Sequence, residues 1–183
     1  MNISTTPSVV IRIVLWLILL VGGALLSIRL DLHYFPELFG RLSFHLLSLP
    51  LGLVLLCLAF RAAAAGGREL ARQGREGDLP RLETNRLVTS GIYACTRHPM
   101  LFGLMLLPEG VALLLGSPTF IFIVAPLEAL FILVMILTLE EREAVRKFAD
   151  AYRKYRENTP LIPRSRECWR KLFGSAKRAK KSD

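Results

Sequence analysis

The stretch Leu87–Met100, LVTSGIYACTRHPM, sets Arg97, His98 and Pro99 directly against the apolar run that begins at Met100. An arginine can hold an anion and a histidine can move a proton. A membrane helix needs neither at its start. A second polar pair, Glu140-Glu141, follows the next two apolar segments, which are joined only by the turn Gly116-Ser117-Pro118. With Ser117 as apex, His98 stands 19 residues before it and Glu140 stands 23 after it. At about 1.5 Å of rise per residue, the two differ in depth by about one helical turn. An antiparallel hairpin therefore returns Glu140 and Glu141 to the face that carries Arg97, His98 and Pro99. Spacing alone gathers a guanidinium, an imidazole and two carboxylates at one interface. Singly, each has a structural reading: arginines snorkel, a histidine at a helix start packs, and the glutamates pair with Arg97, Arg142 or Arg146. Their convergence favours a functional cluster.

The elements that must position this cluster are apolar helices. Of the 183 residues, 52% are hydrophobic, and the mean hydropathy is +0.43. Four runs are long enough to read as membrane spans: Val9–Leu30, Leu42–Ala65, Met100–Leu115 and Thr119–Leu139. Together they predict an all-α integral membrane protein with four transmembrane helices, five being the alternative count, and a tight hairpin over 100–139. The basic residues give its orientation. Seven of the 24 Lys and Arg lie between Arg61 and Arg97, and fourteen lie between Arg142 and Lys181. Positive residues collect on the cytoplasmic side, so both termini are expected there, with 31–41 and 116–118 outside. The +9 net charge is then mostly topology. For the basic end (Lys177, Arg178, Lys180, Lys181), anionic headgroups are the nearer partner and nucleic acid is not expected. This layout suits a bacterial or archaeal plasma membrane.

Between spans two and three, helix is expected as far as about Gln73, followed by loop at Gly74, Gly77 and Pro80. Thr89-Ser90-Gly91 reads as a turn, and Pro99 suits the first turn of span three. After Glu141, Val145, Phe148, Tyr152 and Tyr155 form an apolar and aromatic stripe at helical spacing. That stripe marks a cytosolic amphipathic helix that lies on the membrane or caps the cluster. Trp169, Leu172 and Phe173 among basic residues suggest a short interfacial segment. Cys57, Cys95 and Cys168 are an odd, scattered set with neither a disulfide framework nor a metal spacing, so no metal site is expected. Glu109 and Glu128 fall within the third and fourth spans, where an ionisable group is costly. They line a polar pocket in the bundle or are protonated and hydrogen-bonded to the first two spans.

RLVTSGIYACTRHPMLFG, a hairpin, and then LEEREAVRKFADAYRKYRENTPLIP resemble the membrane methyltransferases typified by isoprenylcysteine carboxyl methyltransferase and phosphatidylethanolamine N-methyltransferase. The resemblance covers about Arg86 to Pro163. It implies S-adenosylmethionine as cofactor, S-adenosylhomocysteine as product, and a lipid-like or prenylated acceptor. Leu87, Val88, Tyr93, His98, Pro99, Met100, Leu101 and Glu140 fall where the family contacts the cofactor. A carboxylate such as Glu140 can hold the cofactor's ammonium, while Arg97 and His98 can hold its carboxylate. For an amine acceptor, His98 or Glu141 is the candidate base. The implied organisation is a two-helix membrane region over 1–66, a methyltransferase-like region over 67–166 and a basic tail over 167–183. Three positions depart from the family pattern. Leu101 replaces a tyrosine, and Ala149 replaces a glycine, a minor change. Ile136 stands where the prenylcysteine enzymes have an arginine for the substrate carboxylate, which turns the expectation toward another amphiphile.

Overall fold

The computed structural model describes residues 6–77 and 84–174, with side chains from residue 10 onward. Pro80 and the basic cluster from Lys177 to Lys181 lie outside them. The described residues are helical and contain no strand. In chain order the helices are α1 (Thr6–Tyr34), α2 (Pro36–Phe39), α3 (Leu42–Gln73), α4 (Pro99–Leu115), α5 (Ala125–Met135), α6 (Glu141–Asn158) and α7 (Arg166–Phe173). A 3-10 turn covers Gly91–Ala94, and π-helical turns cover Phe120–Val124 and Ile136–Glu140. The two π turns, α5 and α6 follow one another without a break over Phe120–Asn158.

Among the described residues, three helices are long and apolar enough to cross a membrane: Val10–Tyr34, Leu42–Gln73 and the continuous helix Phe120–Asn158. α4, with 17 residues, is shorter, about 25 Å long. Large apolar side chains stand exposed along these helices, Ile18, Leu47, Val54, Phe122 and Leu127 among them. In water such a surface would aggregate; here it faces hydrocarbon. The chain is an integral membrane protein.

The tightest contact is between α3 and α4. Small residues recur at seven-residue spacing on both helices, as Gly52, Ala59 and Gly66 on α3 and as Gly103 and Gly110 on α4. The period keeps them on one face. In lipid, helices gain nothing from burying apolar surface against one another, so close backbone packing supplies the adhesion. At Gly103 the fit is closed: a Cβ there would stand 2.7 Å from the Ala63 nitrogen and nearer still to the Ala59 carbonyl.

At the far end of the bundle, Asp31 is fully buried. The sequence placed it in an outside loop, but α1 continues to Tyr34. Its carboxylate accepts from the Thr119 amide at 2.9 Å, from the Thr119 hydroxyl at 2.5 Å and from the Ser117 hydroxyl. Amides at a helix start have no partner within the helix. Asp31 supplies one from another helix, and so pins the hairpin apex to α1.

Two further expectations are corrected near the other end. Cys95 and Cys168 form a disulfide with Cα atoms 5.4 Å apart, and Cys57 remains free. Nothing in their spacing announces the pair, because the fold of α7 creates it. Trp169, Leu172 and Phe173 do not make a membrane-surface segment. Leu172 is fully buried with Ala62, Val88, Ile92, Tyr93 and Cys95, and Trp169 and Phe173 pack on Phe102 of α4.

Gly103→Val should lower the thermal unfolding midpoint in detergent by several degrees, since overpacking of this kind costs about 1–3 kcal/mol. Gly22→Ala, with nothing within 4 Å of the added methyl, should leave it unchanged or raise it.

Candidate functional site

The hairpin closes as its spacing requires. His98, at the N-terminus of α4, meets Glu141, at the start of α6, with 2.9 Å between Nε2 and Oε1. Consecutive helical residues point about 100° apart, and the two glutamates use that divergence. Glu141 turns inward and is 6% exposed. Glu140 turns into an open cavity.

Glu141 is the hub of a buried polar cluster. The Tyr152 hydroxyl donates to its Oε1 at 3.0 Å, Arg97 Nε stands 3.4 Å from the same atom, and Arg156 is 3.9 Å from Oε2. Burial pushes the Glu141 carboxyl up, but the His98 hydrogen bond, the Arg97 charge and the Tyr152 hydroxyl outweigh it and hold the group below the ordinary carboxylate value. The tyrosines shift the other way. Burial first, then the Glu141 charge, raises Tyr152; burial, the neighbouring Tyr155 and Glu69 raise Tyr93; burial and Glu141 raise Tyr155. All three hydroxyls therefore act as donors rather than bases at neutral pH. With Nε2 of His98 donating to Glu141, the imidazole keeps its lone pair on Nδ1.

A cavity of about 490 Å³ opens beside this cluster, within the range of small-molecule sites. Leu87, Val88, Tyr93, Arg97, His98, Met100, Leu101 and Glu140 all border it. Pro99 does not; it packs behind, against Gly66 of α3. Glu141 is also outside and reaches the cavity through His98, Tyr152 and Arg97. Phe148 of the aromatic stripe borders it as well, and so do Arg12, Trp16, Arg75 and Arg86, which sequence reasoning did not single out. Arg12 is the most consequential of these. Its Nη1 donates to Glu140 Oε1 at 2.6 Å, and its Nη2 donates to Glu143. The available signal was an arginine set inside the start of an apolar run.

The chain fixes the cavity's walls from outside. Gly91 adopts φ +61°, and a Cβ there would lie 2.7 Å from the Glu69 carboxyl, so the turn takes glycine for two reasons. Ser90 donates to Gln73 at 2.7 Å, which ties the turn to the end of α3. The Tyr155 hydroxyl donates to the Tyr93 carbonyl at 2.6 Å, and the Arg97 amide donates to the Pro160 carbonyl at 3.1 Å. The Thr96 hydroxyl donates to the Leu161 carbonyl. The aromatic stripe of α6 thus caps the site instead of lying on the membrane. α6 turns sharply at Ala149, with φ 47° and ψ −124°. Phe148, Tyr152 and Tyr155 face the cavity, and Val145 lies on the other side. An alanine in this conformation is strained, so the exchange of glycine for alanine at 149 is larger than a one-methyl change suggests.

Below the polar cavity runs an apolar groove of about 250 Å³ between α1, α4 and α5. The two share Ile13, Trp16, Met100 and Leu101, so one leads into the other. Leu104, Leu107, Phe131 and Ile132 line the groove, and Glu128 borders it with Gly23 of α1 packed over its carboxyl. Glu109 does not border it.

Fold and site together define a helical membrane protein whose polar cavity opens onto an apolar groove within the bundle. Residues 47–151 match the sequence model of the phospholipid methyltransferase family, and the chain belongs to that family. The match takes in α3, α4, α5 and the first part of α6; α1 and α7 lie outside it. Membership makes the protein a membrane methyltransferase by class, with a lipid as the family's substrate. No curated protein and no solved structure matches the chain.

Glu141 is ionised more readily in the folded state than in the unfolded one. Its stabilising contribution is therefore full at neutral pH, above the unfolded carboxylate value of about 4.3, and is lost as pH falls through the lower folded value. Glu141→Gln should cost about 2–3 kcal/mol at pH 7 and should flatten the acid limb of a plot of unfolding midpoint against pH. Ala149→Gly should raise stability by about 1 kcal/mol, seen as a higher midpoint at every pH.

Proposed function

We propose that the protein transfers a methyl group from S-adenosylmethionine to the polar head of a lipid-like or prenylated amphiphile. The observation that carries this reading is the single cavity bordered by eight of the nine residues expected to contact the cofactor. The cavity's chemistry suits the cofactor. Glu140 offers a carboxylate for an ammonium. Arg97, whose Nε stands 3.4 Å from Glu141, also borders the cavity and offers its guanidinium to a carboxylate. Leu87, Val88, Tyr93, Met100 and Leu101 give apolar surface for the nucleoside part.

S-adenosylmethionine, when bound, supplies an activated methyl group on its sulfonium. The protein's own part is positioning and exclusion of water. Glu140 would hold the ammonium and Arg97 the carboxylate, with the His98 ring on the cavity wall beside them. The acceptor's chain lies in the apolar groove, so its head rises at Met100 and Leu101. Where the acceptor is an amine, His98 Nδ1 takes its proton, and Glu141 orients the ring and stabilises the imidazolium. Glu141 thus acts as a positioning residue. The distribution of basic residues supports a cytosolic cavity mouth, from which a soluble cofactor enters while the lipid enters from the side.

Calorimetric titration of S-adenosylhomocysteine into detergent-purified protein should give micromolar binding. Glu140→Gln should weaken it at least tenfold, the loss expected for a charge-assisted hydrogen bond, and His98→Ala should weaken it by removing a ring from the cavity wall. Folded wild-type protein that binds nothing, in detergent and again in nanodiscs, would sink the reading.

A further inference from the structure

A separate hollow of about 410 Å³ lies on the outer side of α6, lined by Leu137, Glu141, Arg142, Val145, Arg146 and Arg156. It shares no residue with the polar cavity or the apolar groove. The kink at Ala149 builds it. Along an unbroken helix, Arg156 would stand about 22 Å from Glu141; here its Nη1 is 3.9 Å from Glu141 Oε2. The second half of α6 is bent back toward the first. Arg156 thus closes a hollow whose other wall carries Arg142, Val145 and Arg146, neighbours on one face of the helix.

Three guanidinium groups converge there. Arg142 and Arg146 are exposed, and their side chains make no ion pair among the described residues. Of the nearby carboxylates on α6, Glu143 is held by Arg12 and Asp150 by Arg153. Glu141 is the one carboxylate that lines the hollow. Its side chain is 7% exposed, and its Oε1 is shared by Arg97, His98 and Tyr152. The hollow therefore keeps an excess of positive charge after its own ion pair is counted. Its lower edge is apolar. Leu130, Val134 and Leu137 recur at helical spacing, each about half exposed, so an apolar track climbs the membrane face of the helix and ends at the arginines.

We infer that this hollow binds an anionic membrane lipid, with the phosphate among Arg142, Arg146 and Arg156 and an acyl chain along the track through Leu137. A guanidinium gives a phosphate two parallel hydrogen bonds. A soluble phosphate would meet the same charges but leave the track unused. The lipid is a bound neighbour, distinct from the methyl acceptor, whose chain has its own groove. The distribution of basic residues favours the cytoplasmic side for this end, and that leaflet carries the anionic lipids.

Native mass spectrometry of the full-length protein counts bound lipid directly. The protein is held in neutral maltoside micelles with phosphatidylglycerol or phosphatidylcholine of equal chain length. The wild type should retain phosphatidylglycerol and release phosphatidylcholine, and glycerol 3-phosphate should not compete. Arg142→Gln combined with Arg146→Gln should weaken retention by about tenfold or more, two basic contacts being lost. Both side chains are exposed, so the unfolding midpoint without lipid should stay where it is. Arg164→Gln combined with Arg166→Gln removes the same charge outside the hollow and should leave retention unchanged. Equal retention of the two lipids, retention that survives in the first variant, or an equal loss in the second would overturn the site. Full competition by glycerol 3-phosphate would overturn the lipid as its occupant. None of these readouts involves S-adenosylhomocysteine, so failure here is distinguishable from failure of the methyl-transfer reading.

Discussion

The site depends on one carboxylate. Glu141 joins two ends of the chain that are 43 residues apart through His98, and it draws Tyr152, Arg97 and Arg156 to the same point. A buried charge with this many partners is stable only while all of them are present. The hairpin must close in one register, α6 must return over the loop, and Arg97 must face inward. These conditions leave little freedom at the floor of the cavity. The carboxylate does no binding of its own there; its contribution is a fixed imidazole.

The adjacent Glu140 has the opposite character. Its side chain is 27% exposed, borders the open cavity and accepts from Arg12 of α1. A buried glutamate beside a cavity-facing one separates the two demands on a group-transfer site, a fixed ring and an accessible charge. The boundary between polar and apolar chemistry is equally local. At Met100, Leu101 and Trp16 one surface faces ionic groups and its continuation faces hydrocarbon, so a ligand with a charged head and a greasy chain has one orientation available.

Much of this was legible in the sequence, because it follows from composition and count. The apolar runs give the long helices, and the intervals around Ser117 bring His98 to the glutamates. The cavity-lining residues follow from the resemblance. What escaped depends on contacts between parts distant in the chain. Asp31 looked like a loop residue because its partners, Ser117 and Thr119, come 86 and 88 positions later. Cys95 finds Cys168 only because α7 folds back, and Arg12 reaches Glu140 only because α1 is set beside the start of α6. Another miss is one of geometry. Counting back one turn from Glu140 by the α-helical interval reaches Ile136, yet residues 136–140 form a π turn, in which each amide reaches five residues back. One turn below Glu141, not Glu140, lies Ile136, and it is 2% exposed, packed in the interior and away from the cavity. The hydropathy pattern of this segment is the same for either helix type.

The length of α4 has a consequence for the bilayer itself. Hydrocarbon about 30 Å thick meets a helix of about 25 Å that begins at Pro99, directly after His98. Such mismatch is relieved by thinning of the adjacent lipid and by polar flanks reaching outward, at a small cost per ångström. Thinning beside α4 at its His98 end would bring headgroups nearer to the cavity mouth and shorten an acceptor's path to the site.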